Sequence, residues 1–71
     1  MELSKKVGCN IKAARKVKGY AQKEMANLLK MTQQQYSNFE TGKYELNYFQ
    51  IVKICKLLDM SPNEMFENCF D

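Results

Sequence analysis

Between Thr32 and Glu40 the chain carries Gln33, Gln34, Ser37 and Asn38, polar and uncharged side chains packed into two helical turns. An amide both donates and accepts, so one Gln or Asn can pair in a bidentate way with the N6 and N7 edge of adenine. Gln33 and Gln34 open the segment and Asn38 follows Gln34 by one turn, which puts several such groups on one outward face. Taken singly, each amide reads more simply as solvated surface, since Gln is a good helix former that costs little when exposed. As a group, beside the pattern around them, they read as a surface for base edges.

Other chemistry is thin. The 71 residues include no histidine, which removes Ser-His and Cys-His nucleophile pairs and the commonest general base, so no enzyme is expected. Cys9, Cys55 and Cys69 are an odd set with long gaps and no C-x-x-C. Neither a disulfide framework nor a Cys/His zinc site fits them, and no metal or cofactor is expected. Unpaired thiols agree with a reducing compartment, and the default reading of each, Cys55 in particular, is a small buried hydrophobe. The N-terminus, Met1 to Lys6, leads into no apolar leader, and no stretch approaches a membrane span, so a cytoplasmic protein is expected.

Net charge is +3, but it is unevenly spread. Up to Lys43 there are nine Lys/Arg against three Glu, net +6; beyond it two Lys stand against five Asp/Glu, net −3. A basic N-terminal two-thirds suits a polyanion, although solvated helix faces explain it equally well.

The elements that must position the amides follow from periodicity. Val7, Ile11 and Ala14 form a stripe on a helix from about Ser4 to Lys18, closed by Gly19. A short helix from Gln22 to about Leu29 carries Met25, Ala26 and Leu29 on one face, and a three-residue link ends at Thr32, a good N-cap for a helix over Gln33 to Glu40. Its inward positions are Tyr36 and Phe39. Asn47 caps a fourth helix, whose Tyr48, Ile51, Val52, Ile54, Cys55, Leu57 and Leu58 should supply most of the core. Ser61, Pro62 and Glu64 form a capping box with proline at the first helical position, opening a short fifth helix that presents Met65 and Phe66, with Phe70 after it. The proline and the three glycines are expected at or near helix ends, which favours an all-α chain over strands. A chain of this length suits one small domain, residues 1–71, that gains from a partner subunit.

Two short helices joined by a tight turn have the geometry of a helix-turn-helix, whose second helix enters the major groove. From Val7 to Phe66 the chain resembles the Cro/C1-type, or XRE, helix-turn-helix family, which includes the DNA-binding domains of lambdoid phage repressors. The resemblance rests on Ile11, Ala14 and Arg15; Gln22, Met25 and Ala26; Thr32, Gln33 and Gln34; Phe39, Glu40, Gly42 and Lys43; then Ile51, Ile54, Cys55, Leu58, Ser61, Pro62, Met65 and Phe66, in that order and spacing. It implies a five-helix, lambda-repressor-like bundle with the helix-turn-helix at about 22–40. It further implies that Gln33, Gln34 and Asn38 touch base edges with Ser37 beside them, that Gln22, Thr32 and Lys43 hold phosphates, and that Arg15 and Glu40 form a structural ion pair. Dimers of the family commonly meet near the C-terminal apolar group, here Met60, Met65, Phe66 and Phe70, part of which is expected to belong to the core. That would set two reading helices about 34 Å apart on double-stranded DNA.

The implied function is a dimeric transcriptional regulator, a repressor first, on a palindromic operator. A different class, an antitoxin-like module that masks a partner protein with the same apolar group, is the alternative. The chain also departs from the family pattern. Ala21 stands where Ser or Thr often caps the second helix, and Lys30 where the turn usually has Gly, which implies a strained left-handed residue or a slightly different turn; each is expected to cost about 1 kcal/mol. Leu46 replaces a usual Pro, Cys55 a usual Ala and Thr41 a common Asn. Tyr48 is expected to cover core, while Tyr44 fits core or the sugar-phosphate backbone equally.

Overall fold

The computed structural model describes residues 2–70. It contains five helices, α1 (Glu2–Lys18), α2 (Gln22–Leu28), α3 (Gln33–Glu40), α4 (Tyr48–Leu58) and α5 (Pro62–Met65), and no strand among the described residues. The all-α, five-helix expectation holds, and α3 has the bounds read from its apolar spacing.

Local chemistry starts each of the later helices. Thr32 Oγ1 accepts from Gln35 N at 3.1 Å while Gln35 Oε1 accepts from Thr32 N at 2.9 Å. Asn47 with Gln50, and Ser61 with Glu64, repeat this reciprocal cap. At α2 only half of it forms: Glu24 Oε1 accepts from Ala21 N at 2.8 Å, and the alanine has no oxygen to return the bond.

The first four helices also stop in the same way. A left-handed residue follows each one, and the next amide reaches back across the last turn: Tyr20 N to Arg15 O, Met31 N to Ala26 O, Lys43 N to Asn38 O and Met60 N to Cys55 O. Gly19 and Gly42 fill two of the left-handed positions. Lys30 (φ 58°) and Asp59 (φ 53°) fill the other two and carry a Cβ into that region, at a cost of about 1 kcal/mol each. Of the two turns left open at Lys30, the left-handed one is therefore present.

Each helix contributes one fully buried large side chain: Ile11, Met25, Tyr36, Ile54 and Met65. Truncating such a residue to alanine costs about 2 to 5 kcal/mol, so no helix detaches without a large loss. The hub is α1, which packs against α3, α4 and α5, while α2 lies on α3. The stripe on α1 that faces inward is Ser4, Gly8, Ile11 and Arg15, with Val7 and Ala14 only partly covered.

Gly8 corrects the expectation that glycines mark helix ends, because it sits inside α1. A Cβ there would stand 2.6 Å from Phe39 O and closer still to Glu40 O. The missing side chain lets the backbones of α1 and α3 touch.

α4 is less central than its apolar run suggested. Ile54 and Leu58 are buried and Ile51, Cys55 and Leu57 partly so, but Tyr48 is 89% and Val52 52% exposed. Two residues before Ile54, Val52 is turned about 160° away around the helix axis, beyond the strip that α1 covers. The C-terminal apolar group also divides. Met60 and Met65 lie inside the core, which removes them as interface residues; Phe66 is half-buried and Phe70 is 87% exposed. No described helix is long and apolar enough to cross a membrane.

Candidate nucleic-acid interface

α3 is held in place from behind. Arg15 on α1 donates from Nε to Glu40 Oε2 at 2.6 Å and from Nη2 to Glu40 Oε1 at 3.2 Å, while its Nη1 donates to Tyr20 O at 2.8 Å. This bidentate fork fixes the last turn of α3 against the end of α1. The side chains are 9% and 1% exposed, so water screens the pair little, and it is the only ion pair among the described residues.

The electrostatics agree with that geometry. The hydrogen bond that Arg15 donates to Glu40 is the largest influence that raises the Arg15 pKa. For Glu40, burial pushes the pKa up most strongly, yet the hydrogen bonds from Arg15 and Gln22 and the Arg15 charge together hold it below the usual carboxylate range. Burial, then the neighbouring carboxylate, pushes the Tyr36 phenol well above its ordinary value. Its hydroxyl sits beside the pair without reaching hydrogen-bond geometry. It stays protonated and neutral, a spacer under the helix rather than a third charge.

α2 sets the tilt of α3. Ala26 is 1% exposed where the two helices cross, and any larger side chain would push them apart. From there the Lys30 turn leads to the Thr32 cap, so α3 begins at a fixed angle. Its outer face presents Gln33, Gln34 and Gln35 to solvent, with Ser37 half-buried beside them.

Asn38 does not join that face. It is 8% exposed, because the chain after α3 folds back over it: its carbonyl accepts from Lys43 N at 2.9 Å and Tyr44 N at 3.2 Å. Its side-chain Oδ1 accepts from Gln34 Nε2 at 3.1 Å. The expectation that Asn38 faces outward is thus corrected; it holds the returning loop and one hydrogen of Gln34, whose other amide hydrogen and Oε1 remain for a ligand.

The residues expected at phosphates flank this face with different freedom. Lys43 is exposed on the loop that Asn38 straps down, and Gly42 (φ 79°) before it lies so close to α1 that a Cβ would stand 2.6 Å from Lys5 Cα. The Thr32 hydroxyl accepts its capping bond and keeps its own hydrogen to donate. Gln22 is half-buried and donates from Nε2 to Glu40 Oε1 at 2.9 Å, so one amide hydrogen is committed to the ion pair and one is left. Tyr44 is 54% exposed at the same edge, which resolves its open position toward the surface.

Sequence reasoning missed three parts of this arrangement: the Gly8 contact, the burial of Asn38 and the Gln22 bond to Glu40. The glycine had one available signal, its place in register with Ser4, Ile11 and Arg15. The other two depend on contacts that no local spacing encodes.

Residues 11–65 match the protein family described as Helix-turn-helix. Over 56 residues, 79% of this chain, the sequence is 37% identical to an SPbeta prophage-derived uncharacterized HTH-type transcriptional regulator, YonR, of Bacillus subtilis (strain 168). The chain spans about half of that relative's length, 52%. No solved structure matches the chain. The matched segment contains α2, the Lys30 turn and α3 with their exposed amides, and the chain belongs to the Cro/C1-type helix-turn-helix family.

Proposed function

We propose that this protein is a DNA-binding transcriptional regulator that reads a specific sequence with α3. The observation that carries this reading is the two-sidedness of α3: Tyr36, Phe39 and Glu40 anchor its back, while Gln33 and Gln34 stand exposed at its front end. Gln34, oriented by Asn38, offers one N–H and its carbonyl to an adenine edge, with Gln33 and Ser37 at neighbouring base pairs. Lys43, Thr32 and the remaining hydrogen of Gln22 hold phosphates on either side, which fixes register without reading bases.

The finer reading is a homodimer on a palindromic operator that represses by occupying the promoter. Phe70, exposed next to the half-buried Phe66 with ring centroids 6.4 Å apart, supports a dimer surface at the C-terminal end. Purified protein incubated with randomised duplexes at near-physiological salt, followed by sequencing of the retained DNA, tests this directly. A two-fold symmetric motif supports a dimeric reader; retention without enrichment refutes sequence-specific reading.

A protein partner is the second reading, favoured by the exposed Tyr48, Phe49 and Val52 on one side of α4. Co-purification with a small protein that covers α4, together with loss of DNA retention, would favour an antitoxin-like module over a regulator acting alone.

A further inference from the structure

Cys9 and Cys69, 60 positions apart in sequence, lie on two segments that pack together, α1 and the turn after α5. Cys9 is exposed on α1, and Cys69 is half-buried in the turn after α5. The α1 residues around Cys9 grip that turn. Asn10 Nδ2 donates to Met65 O at 2.9 Å and Glu67 O at 3.0 Å, and Lys6 Nζ donates to Asn68 O at 3.1 Å. Cys9 lines the same surface hollow as Lys6, Asn10, Glu67 and Asn68. Asn68 (φ 66°) then turns the backbone sharply, and Cys69 follows with its Sγ 3.6 Å from Glu67 O. The third thiol is different: Cys55 packs against the core on α4, and burial, then the Glu64 charge, push its pKa up.

We propose that Cys9 and Cys69 are a redox pair that closes into an intramolecular disulfide when the protein meets a small disulfide such as oxidised glutathione. The exposed Cys9 thiolate attacks one glutathione sulfur and expels the first glutathione thiolate. The Cys69 thiolate then attacks the Cys9 sulfur of the mixed disulfide and expels the second. Both cysteine sulfurs are oxidised, and the two released glutathiones carry away the two electrons and, once protonated, the two thiol protons. The bridge closes a loop of about 60 residues that contains α2, α3, α4 and α5, so it restricts the unfolded chain strongly. Stability of the folded protein then follows the thiol-disulfide poise around it.

The test uses the reduced, purified chain incubated with oxidised glutathione and followed by intact mass, thiol titration, peptide mapping and thermal unfolding. The expected result is a mass loss of about 2 Da, one remaining thiol at Cys55, a peptide joining Cys9 to Cys69, and a Tm raised by more than about 10 °C that falls back on adding dithiothreitol. Cys55→Ser should behave identically. Cys69→Ser should stop at a Cys9–glutathione adduct with no gain in Tm. A stable adduct on Cys9 in the unmodified protein, a bridge through Cys55, or a bridge between two chains overturns the proposal.

Discussion

Deleting the Glu40 carboxylate alone should damage this protein more than deleting Glu40 and Arg15 together. In Glu40→Leu the guanidinium stays in a site where the arginine side chain is 9% exposed, with Tyr20 O as its one remaining acceptor. An unpaired buried charge of this kind costs about 3 to 5 kcal/mol. A domain of this length has a total stability of about 4 to 11 kcal/mol, so the single variant loses about a quarter or more of it. At about 4 to 8 °C per kcal/mol, Tm should fall by at least about 12 °C. Arg15→Met combined with Glu40→Leu removes both charges and keeps most of the packing volume. It should return to within about 1 to 2 kcal/mol of the parent. Urea unfolding of the four proteins of this double-mutant cycle gives the coupling directly. If the double variant is as unstable as the sum of the singles, the pair is not the coupled buried unit described here. The restored double variant should still bind DNA more weakly than the parent, since the fork that orients α3 is gone.

The pH dependence follows from the same carboxylate. Glu40 is held below its ordinary value of about 4.3, so its stabilisation is complete above that value and is lost as pH falls through the lower, folded-state pKa. Tm measured from pH 6 down to 3 should fall along this limb, and Glu40→Gln should flatten it; an unchanged slope would remove Glu40 as a source of acid sensitivity. Gln34→Ala should relax base preference at one or two operator positions by about 1 to 3 kcal/mol in competition binding, and unaltered selectivity would take Gln34 off the reading face. Lys43→Ala should weaken every duplex alike and lower the salt slope of binding by about one; a base-dependent effect would make it a reader instead. Gly8→Ala should destabilise by about 1 to 3 kcal/mol, because its methyl meets the α3 backbone rather than a movable side chain. A neutral result in thermal unfolding would mean that α1 and α3 do not touch there.

The parts of this fold that were legible in the sequence are those decided within four residues. The Thr32, Asn47 and Ser61 caps and the bounds of α3 all rest on hydrogen bonds between i and i+3 to i+5, so residue type and spacing suffice for them. The Arg15–Glu40 pair lies 25 positions apart, and only resemblance to a family pointed to it.

What tertiary structure decided is which side of each helix becomes the inside. Periodicity shows that α4 is amphipathic, but it does not say how wide a strip α1 covers, so Tyr48 and Val52 fall outside while Met60 and Met65, expected at a surface, are core. Gly8 is inside because two backbones meet there, and Asn38 because the loop after α3 returns over it. The residue types of α3 were set by the sequence alone. Which of its amides face outward depended on the path of the chain beyond it, since burial is a property of the neighbours in space and not of the residue.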